Sequence, residues 1–280
     1  MSPPSAHVPP ASGRTTWSRL APAVGIVLWV ILPFIPLVMW AFGSQWFFPA
    51  LLPGEVSLRA WRYVASAGAD VGEAFFNSLA IAVAVTILAA LLGIPAGRGL
   101  GMHHFRGRAA VELFILAPLI VPPITVAMGI HVVFIRLGLV DRPIGVVLVH
   151  LIPALPYMIV VMRGVFANFD RDYEEQARSL GAAPWQVFLR VTLPAIMPGI
   201  ITGSLFVFLV SWSQYVLTLL IGGGRVVTLP ILLFAFATSG DNTLTAAISI
   251  IFVAPAVAIL AGTARYLTGR SSAIGGLGSM

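Results

Sequence analysis

Long apolar blocks separated by short polar segments make up most of this sequence. The first block, residues 20–42, carries no charge and is long enough to cross the roughly 30 Å hydrocarbon layer of a membrane as a helix. An apolar segment at 229–236 is too short to cross, so it is predicted to be re-entrant or interfacial. The pattern predicts an all-α integral membrane protein with six transmembrane helices. The five spans after the first are predicted at 75–96, 113–135, 144–162, 199–221 and 245–263.

Prolines interrupt the third and fourth predicted spans. Pro118, Pro122 and Pro123 lie in the third span, and Pro153 and Pro156 lie in the fourth. Because a proline leaves a backbone carbonyl without its helical partner, such a helix bends and needs protein or water to satisfy that carbonyl. Both spans are therefore predicted to be bent and to face the interior of the bundle.

The distribution of arginines tests the number of spans. With the N-terminus in the cytoplasm, the predicted inside segments contain eleven arginines and the outside segments contain five. Basic residues concentrate in cytoplasmic loops, so this bias favours six spans with both termini inside. Residues 1–19 are predicted to be a disordered cytoplasmic tail, and residues 268–280 a flexible C-terminal tail. The longest outside segment, residues 43–74, is predicted to carry a short helix along the outer surface.

Composition agrees with residence in a membrane and excludes several functions. The 280 residues are 59% hydrophobic and 9% charged, whereas soluble proteins have about 25% charged residues. The net charge of +6 is explained by the arginines of the inner loops, and no nucleic-acid partner is predicted. Lysine and cysteine are absent, so the chain has no P-loop lysine for nucleotide phosphates and no cysteine nucleophile or cysteine metal site. No catalytic or metal site is predicted.

The segment 163–198, between the fourth and fifth spans, is unusually polar and is predicted to lie in the cytoplasm. Three acidic residues crowd the start of a helix predicted over 172–180, where the helix dipole stabilises anions. Glu174 is expected to pair with Arg178 one turn later. Gly181 is expected to end this helix.

A second short helix is predicted to follow and to complete an elbow, defined here as residues 172–194. It begins at Pro184, runs to about residue 191 and ends at Thr192-Leu193-Pro194. Ala177 and the glycine four residues later present almost no side chain, while Trp185 and Phe188 supply apolar area. A rigid, partly apolar elbow is suited to a groove on another protein. The alternative interpretation is an amphipathic connector that lies on the membrane.

The elbow resembles the EAA motif of type I ABC importer permeases. That motif is Glu-Ala-Ala, three residues, Gly, nine residues, and then Ile-x-Leu-Pro. Here Glu175-Gln176-Ala177 is followed after three residues by Gly181, and after nine more by Val191-x-Leu193-Pro194. The spacing matches throughout, and the sequence departs from the motif only at Gln176 and Val191.

The resemblance covers residues 73–267, the core of the family, with residues 20–43 as an additional first helix. It implies the type I ABC importer permease fold. In that family the matching element is a coupling helix, which docks in a groove of a nucleotide-binding subunit. The resemblance implies this coupling role for Glu174, Glu175, Ala177, Arg178, Gly181, Ala182, Trp185, Leu193 and Pro194.

The resemblance also implies the partners. They are two copies of an ABC ATPase subunit, a second permease subunit and an extracytoplasmic substrate-binding protein. Membrane lipid is a further expected partner. A heterodimer of permeases is favoured, and a homodimer is the alternative. ATP and Mg²⁺ would bind the ATPase, so this chain is expected to bind no cofactor and to act as a transport subunit and not as an enzyme. The implied location is the bacterial cytoplasmic (inner) membrane.

Few polar side chains lie within the predicted spans, and such residues usually face the interior of a bundle. Ser211, Gln214 and Tyr215 are predicted to share one face of the fifth span and to line the substrate pathway. Asn77 and His131 are further pathway candidates. The alternative for all of them is hydrogen bonding between helices.

Two further features of the spans have structural interpretations. Gly199 and Gly203, four residues apart at the start of the fifth span, are predicted to allow close helix packing. His150 lies in the fourth span close to two prolines. It is either a polar group of the pathway or a partner for a carbonyl that a proline has freed.

The substrate is not specified by the sequence. The segment 211–215 and the later Thr228-Leu-Pro are similar to permeases for spermidine/putrescine, ferric iron, thiamine and phosphonates, which implies a small polar solute. No carboxylate lies in the middle of a span, which argues against polyamines. The alternative functions are a stand-alone secondary transporter or channel, and a membrane-embedded enzyme. The former more often has buried ionisable residues or an internal repeat, and the latter needs a catalytic set that this sequence lacks.

Overall fold

The structure, a computed structural model, describes residues 24–26, 28–44, 46, 50, 52–66 and 68–275. The predicted tail at 1–19 lies outside the described residues, as do residues 276–280. Helices account for most of the described chain, in agreement with the predicted all-α class. One small antiparallel ladder pairs β1 (Gly43–Ser44) with β2 (Glu55–Val56).

The helices follow one another in the order that the apolar blocks predict, with several short helices between them. They are α1 (Phe34–Phe42), α2 (Arg59–Val64), α3 (Val71–Met102), α4 (Arg108–Ile120), α5 (Pro123–Arg136), α6 (Pro143–Ala167), α7 (Asp172–Ser179), α8 (Pro184–Val187), α9 (Leu193–Trp212), α10 (Val216–Gly222), α11 (Leu229–Ser239) and α12 (Asn242–Gly275). A π-helical turn, Phe188–Thr192, joins α8 to α9.

Six membrane spans account for the long apolar helices of the described chain. Five of them are single stretches, and α4 with α5 makes the sixth when the pair is counted as one span. The five are Val24–Phe42, Val71–Met102, Pro143–Ala167, Pro184–Trp212 and Asn242–Arg265. The predicted number and order of the spans are thus confirmed. The backbone of α12 remains helical to Gly275, beyond the point at which the flexible tail is predicted to begin.

The third span is two half-helices that meet at an angle of 101°. Val121 and Pro122 adopt extended backbone between them, with ψ of 132° and 133°. The cause is the Pro122-Pro123 pair, because each proline lacks an N–H donor and forces the residue before it away from helical geometry. The predicted bend is confirmed. Within one chain no side chain of α4 is fully buried, and residues 115–118 are half-buried, so the interior position of this half of the span stays a prediction.

The fourth span, α6, is the centre of the packed bundle. It runs through Pro153 and Pro156 as one helix, and half of its apolar stretch is buried (50%), which confirms its predicted interior position. Two glycines of α3 allow the closest approach to it. A Cβ added at Gly93 would lie 2.5 Å from Met158 Cγ, and one at Gly97 would lie 2.5 Å from the Cβ of Met162. Only hydrogen in place of a side chain permits this helix separation.

The fifth span, α9, approaches α6 from another side through its own pair of small residues. A Cβ at Gly199 would lie 2.4 Å from Val165 Cγ2, and one at Gly203 would lie 2.6 Å from the sulfur of Met158. The predicted role of Gly199 and Gly203 in close helix packing is therefore confirmed. Together the two glycine pairs place α6 between α3 and α9.

Polar contacts divide the connecting segments between two ends of the bundle. At the end that carries the elbow, Arg98 Nη2 lies 2.7 Å from Glu174 Oε2, and Arg163 Nη1 lies 3.1 Å from Glu112 Oε2. These pairs join segments that the arginine distribution places on the same side. This end is called the elbow end below.

The opposite end joins the segments that are predicted to lie outside. Arg59 of α2 pairs with Asp241, which precedes α12, and Arg225 Nε lies 4.0 Å from Asp141 Oδ2. The short helix α2 confirms the helix predicted within residues 43–74. The apolar helix α11 lies at this end too, where its Phe236 makes an edge contact with Tyr63 of α2 at 5.8 Å. Its eleven residues are too few to cross a membrane.

Candidate functional site

The first helix of the elbow, α7, forms where the acidic cluster predicts it. It covers Asp172–Ser179, one residue shorter than the predicted 172–180, and its first turn carries all three acidic residues. The carboxylate of Asp170 accepts a hydrogen bond from the N–H of Asp172 at 2.9 Å, which fixes the entry of the chain into the helix.

Gly181 ends α7 in left-handed conformation, with φ of +85°. Its N–H donates to the carbonyl of Arg178 at 2.9 Å, and the N–H of Ala182 donates to the carbonyl of Ala177 at 3.1 Å. These two bonds are the Schellman pattern, in which a glycine satisfies the last carbonyls of a helix. The predicted helix stop is confirmed. A Cβ at Gly181 would meet no described atom within 4 Å, so the surface above this residue is open.

The second helix, α8, begins at Pro184 as predicted. The side-chain oxygen of Gln186 accepts a hydrogen bond from the N–H of Ala183 at 2.9 Å, and this contact satisfies a backbone donor at the start of the helix. The tight bend between α7 and α8 is thus closed by hydrogen bonds on both sides.

The predicted end of this second helix at Thr192-Leu193-Pro194 is wrong. The chain stays helical from Pro184 to Trp212, through the π-helical turn and into α9. In the π turn the N–H of Leu193 donates to the carbonyl of Phe188, five residues back. The wider turn accommodates the proline ring that follows, which in a regular α-helix clashes with the carbonyl four residues earlier. The elbow is therefore a direct extension of the fifth span.

Glu174 anchors the elbow to the bundle. The residue is 5% exposed, and its carboxylate receives hydrogen bonds from Thr192 Oγ1 at 2.6 Å and Arg98 Nη2 at 2.7 Å. Arg178 Nη2 lies 3.6 Å from the same carboxylate, which confirms the predicted pair within α7. Burial alone raises the pKa of Glu174, but the bonds from Thr192 and Arg98 and the charges of both arginines outweigh it, so the pKa lies below its ordinary value.

The other face of the elbow is exposed and rich in large apolar side chains. Leu180 is 89% exposed, Trp185 61%, Tyr173 60% and Phe188 40%. Large apolar side chains exposed together in one short segment are typical of an interaction surface. Glu175 of α7 is also exposed and adds an acidic group to this face of the elbow.

The residues for which a coupling role is implied fall into three groups. Glu175, Gly181 and Trp185 are exposed, while Ala177 and Ala182 are half-buried beside them. Glu174 points into the bundle, with Arg178 paired to it. The two residues of the motif that follow the π turn belong to the first turn of α9; they are Leu193 and Pro194.

The predicted common face of Ser211, Gln214 and Tyr215 is wrong. Helix α9 ends at Trp212, and α10 begins only at Val216, so the three residues straddle a break in the fifth span. Ser211 is buried within the chain at 3% exposure, whereas Gln214 and Tyr215 are half-exposed at the break. Tyr215 stacks on a ring of α11, with the centroids 4.0 Å apart. A pathway role for these residues stays a prediction.

The two remaining pathway candidates lie far apart in the chain. Asn77 of α3 donates a hydrogen bond from Nδ2 to the carbonyl of Val227 at 3.1 Å, so it joins its helix to the loop before α11. His131 lies half-exposed on α5. A pathway role for Asn77 and His131 stays a prediction.

His150 forms a buried polar cluster that ties the broken fifth span to α6. Its Nδ1 lies 3.0 Å from Ser211 Oγ of α9, and its Nε2 lies 2.8 Å from Thr218 Oγ1 of α10. Because Thr218 donates its own proton to the carbonyl of Gln214 at 3.0 Å, it accepts from Nε2, and Nδ1 then accepts from Ser211. The partners of His150 are thus two hydroxyl groups and not a carbonyl freed by proline.

Replacement of His150 by alanine is expected to destabilise the permease by about 3 kcal/mol, because it leaves a cavity and two buried hydroxyls without their partner. Thermal unfolding of the purified protein measures the loss. His131→Ala is the matched control, since this half-exposed histidine of another span is expected to give a near-neutral change. Equal effects of the two substitutions would contradict a stabilising role for the buried cluster.

Sequence reasoning missed the partners that hold the elbow in place. Arg98 is the only basic residue of the 32-residue helix α3, and a lone charge near the end of a membrane helix is a signal that a partner exists. Thr192 occupies the unspecified position of the Val191-x-Leu193-Pro194 motif, so no motif residue drew attention to it. Both contacts join residues that are distant in sequence.

Comparison with known proteins agrees with this geometry. The model of a family described as binding-protein-dependent transport system inner membrane component matches residues 91–272. The molybdenum transport system permease protein ModB of Mycobacterium tuberculosis is 29% identical over 276 residues, which cover 90% of this chain and 99% of ModB. The putrescine transport system permease protein PotI of Escherichia coli strain K12 is 33% identical over 201 residues, which cover 69% and 71% of the two chains.

A solved structure shares the fold. It is a chain of a bacterial ABC transporter involved in the import of the acidic polysaccharide alginate, with a TM-score of 0.67 and 19% identity over 93% of this chain and 99% of the other. The spans, the elbow and these matches agree on one class of multi-pass membrane protein. The chain therefore belongs to the binding-protein-dependent transport system inner membrane component family, the permeases of type I ABC importers.

Proposed function

We propose that this permease subunit couples to a separate ATPase through the exposed face of the elbow. The observation that carries the proposal is the contrast between the two faces of the elbow. One face is fixed to the bundle by the buried Glu174, and the other presents Leu180 and Trp185 to solvent. A rigid element with exposed apolar side chains is suited to receive a partner and to transmit its motion. Glu175, Ala177, Gly181 and their neighbours would make the contact.

The proposed partners are those of a complete importer. Two copies of the ATPase bind ATP and Mg²⁺, so this chain needs no cofactor of its own. A second, related permease completes the translocation pathway, and an extracytoplasmic protein delivers the substrate. In the proposed orientation the elbow end faces the cytoplasm of a bacterial cell and both chain termini are on that side, and an even number of spans supports this arrangement. The excess of arginine in the segments of that side supports this orientation.

The proposed cargo is a small polar solute of the polyamine, thiamine, iron or phosphonate-like kind. Among these, an oxyanion is favoured over a polycation, since no carboxylate lies in the central part of a span to attract positive charge. The similarity to ModB over nearly its whole length supports an oxyanion, while the similarity to PotI is the argument for a polyamine.

Reconstitution of the permease with its ATPase, second permease and binding protein in proteoliposomes is expected to give uptake that depends on ATP. Omission of the ATPase or of the binding protein should stop uptake, and an ionophore that collapses ion gradients should leave it unchanged. Molybdate and putrescine, tested in parallel, distinguish the two classes of cargo. Gradient-driven uptake by this chain alone would instead support the alternative of a stand-alone secondary transporter or channel.

A further inference from the structure

The helix α7 has an unusual attachment to the rest of the protein. It contains eight residues, and the residue that it buries is the charged Glu174 and not an apolar side chain. An isolated helix of this length is unstable in water. Its position relative to the bundle therefore depends on the contacts of this carboxylate, on polar contacts beside it and on its covalent connections.

The carboxylate of Glu174 divides its two oxygens between different elements. Oε1 accepts from Thr192, in the turn that continues into α9, at 2.6 Å. Oε2 accepts from Arg98, in the last part of α3, at 2.7 Å, and Arg178 of α7 itself lies 3.6 Å away. One buried group thus joins α7 to two membrane spans.

Neighbouring contacts extend the same connection to a third span. The guanidinium of Arg98 lies over the ring of Phe166 of α6, 5.7 Å from its centroid. Arg171, immediately before α7, donates a hydrogen bond to the carbonyl of Met102 at the end of α3. The elbow end of α3 is therefore attached both just before α7 and within its first turn.

We propose that Glu174 is a positioning residue for energy coupling, whose carboxylate makes α3 and α9 move together with α7 when the ATPase displaces the elbow. The inference rests on the proposed function. It assigns to Glu174 a role different from contact with the ATPase, because this side chain is turned away from the exposed face. Both α3 and α9 pack against α6 through glycine pairs, so a displacement at the elbow reaches the centre of the bundle. The lowered pKa of Glu174 keeps the carboxylate ionised at neutral pH.

The test compares Glu174→Gln with Glu112→Gln in the complete reconstituted importer. Glu112 is a matched control, because its carboxylate also pairs with two arginines at the elbow end, Arg108 and Arg163. The measured quantities are the amount of ATPase subunit retained on purification, the rate of ATP hydrolysis, and the uptake per ATP hydrolysed. Hydrogen exchange of the α7 amides reports the position of the helix.

Glu174→Gln is expected to retain the ATPase subunit, because the exposed docking face is unchanged. Uptake per ATP should fall about tenfold, within the range of typical coupling effects. The α7 amides should exchange faster. Glu112→Gln should keep the uptake per ATP and the α7 exchange of the unmodified protein. A normal uptake per ATP in Glu174→Gln, an equal loss in Glu112→Gln, or loss of the ATPase subunit from Glu174→Gln would each overturn the inference.

A second pair of variants keeps the test independent of the folding of Glu174→Gln. Thr192→Ser preserves the hydroxyl that donates a hydrogen bond to Glu174, whereas Thr192→Val removes this hydroxyl at nearly constant side-chain volume. Only the valine variant should lower uptake per ATP, and equal values for the two would overturn the inference. If the unmodified permease retains no ATPase subunit, the proposed function itself fails. If the unmodified permease and the Glu174 and Thr192 variants all give the same uptake per ATP hydrolysed, only the positioning role fails.

Discussion

Replacement of Gly181 by arginine is expected to abolish retention of the ATPase subunit and ATP-driven uptake. The residue has φ of +85°, where a side chain costs about 1 kcal/mol of backbone strain. The larger effect is a long cation in the middle of the proposed docking face, beside Leu180 and Trp185. Substitution at the centre of an interface costs about 2 kcal/mol or more, so association should weaken at least about 30-fold. Co-purification with the ATPase subunit measures this loss.

Two variants separate the docking effect from backbone strain. Gly224 has φ of +80°, and in the described part of the chain nothing lies within 4 Å of its Cβ position, but it belongs to the opposite end of the bundle. Gly224→Arg should therefore retain the ATPase. Gly181→Ala adds strain and one methyl group, and it should weaken retention far less than arginine does. Full retention of the ATPase by Gly181→Arg would remove the elbow from the proposed mechanism.

The parts of the fold that the sequence predicts well are those fixed by local chemistry. The start of α7 follows from three acidic residues at one helix end, and its stop follows from Gly181 alone. The six spans follow from the length of the apolar blocks, because a bilayer demands helices of a minimum length. In each case the deciding interaction lies within one turn or one element.

The parts that the sequence predicts badly depend on contacts between distant elements. A helical face was predicted across Ser211 and Tyr215, but the helix breaks after Trp212 although the sequence there contains no proline or glycine. The buried bonds of Ser211 to His150, and of Trp212 Nε1 to the carbonyl of Phe252 at 3.0 Å, hold that end of α9 in place. Neither partner is visible from local periodicity.

The elbow shows the same limit in the candidate site. The motif predicts that Leu-Pro ends a helix, because proline at position 194 lacks an N–H donor and disfavours helical geometry before it. The protein instead widens one turn into a π-helix and continues into the fifth span. A continuous helix therefore connects part of the proposed docking face to the centre of the bundle, and under the proposed function a displacement of the elbow would move α9 without an intervening flexible joint.

Replacement of Gly97 by leucine is expected to prevent correct packing of α3 against α6. A Cβ at this position would lie 2.5 Å from the Cβ of Met162 and 2.9 Å from the backbone nitrogen of Arg163. A backbone atom cannot move aside as a flexible side chain can, so the two helices must separate. The expected destabilisation is about 3 kcal/mol, at the upper end of common overpacking costs. Thermal unfolding of the purified permease in detergent or in nanodiscs measures it.

The control for this prediction lies two residues further along the same helix. Gly99 also belongs to α3, and among the described residues no atom lies within 4 Å of its Cβ position. Gly99→Leu gains the same helix propensity, about 1 kcal/mol relative to glycine, without the clash, so its stability should be unchanged or slightly raised. The difference between the two leucine variants isolates the contact with α6. Both α3 and α9 pack against α6, so loss of the contact between α3 and α6 should also lower uptake by the fraction of Gly97→Leu protein that folds.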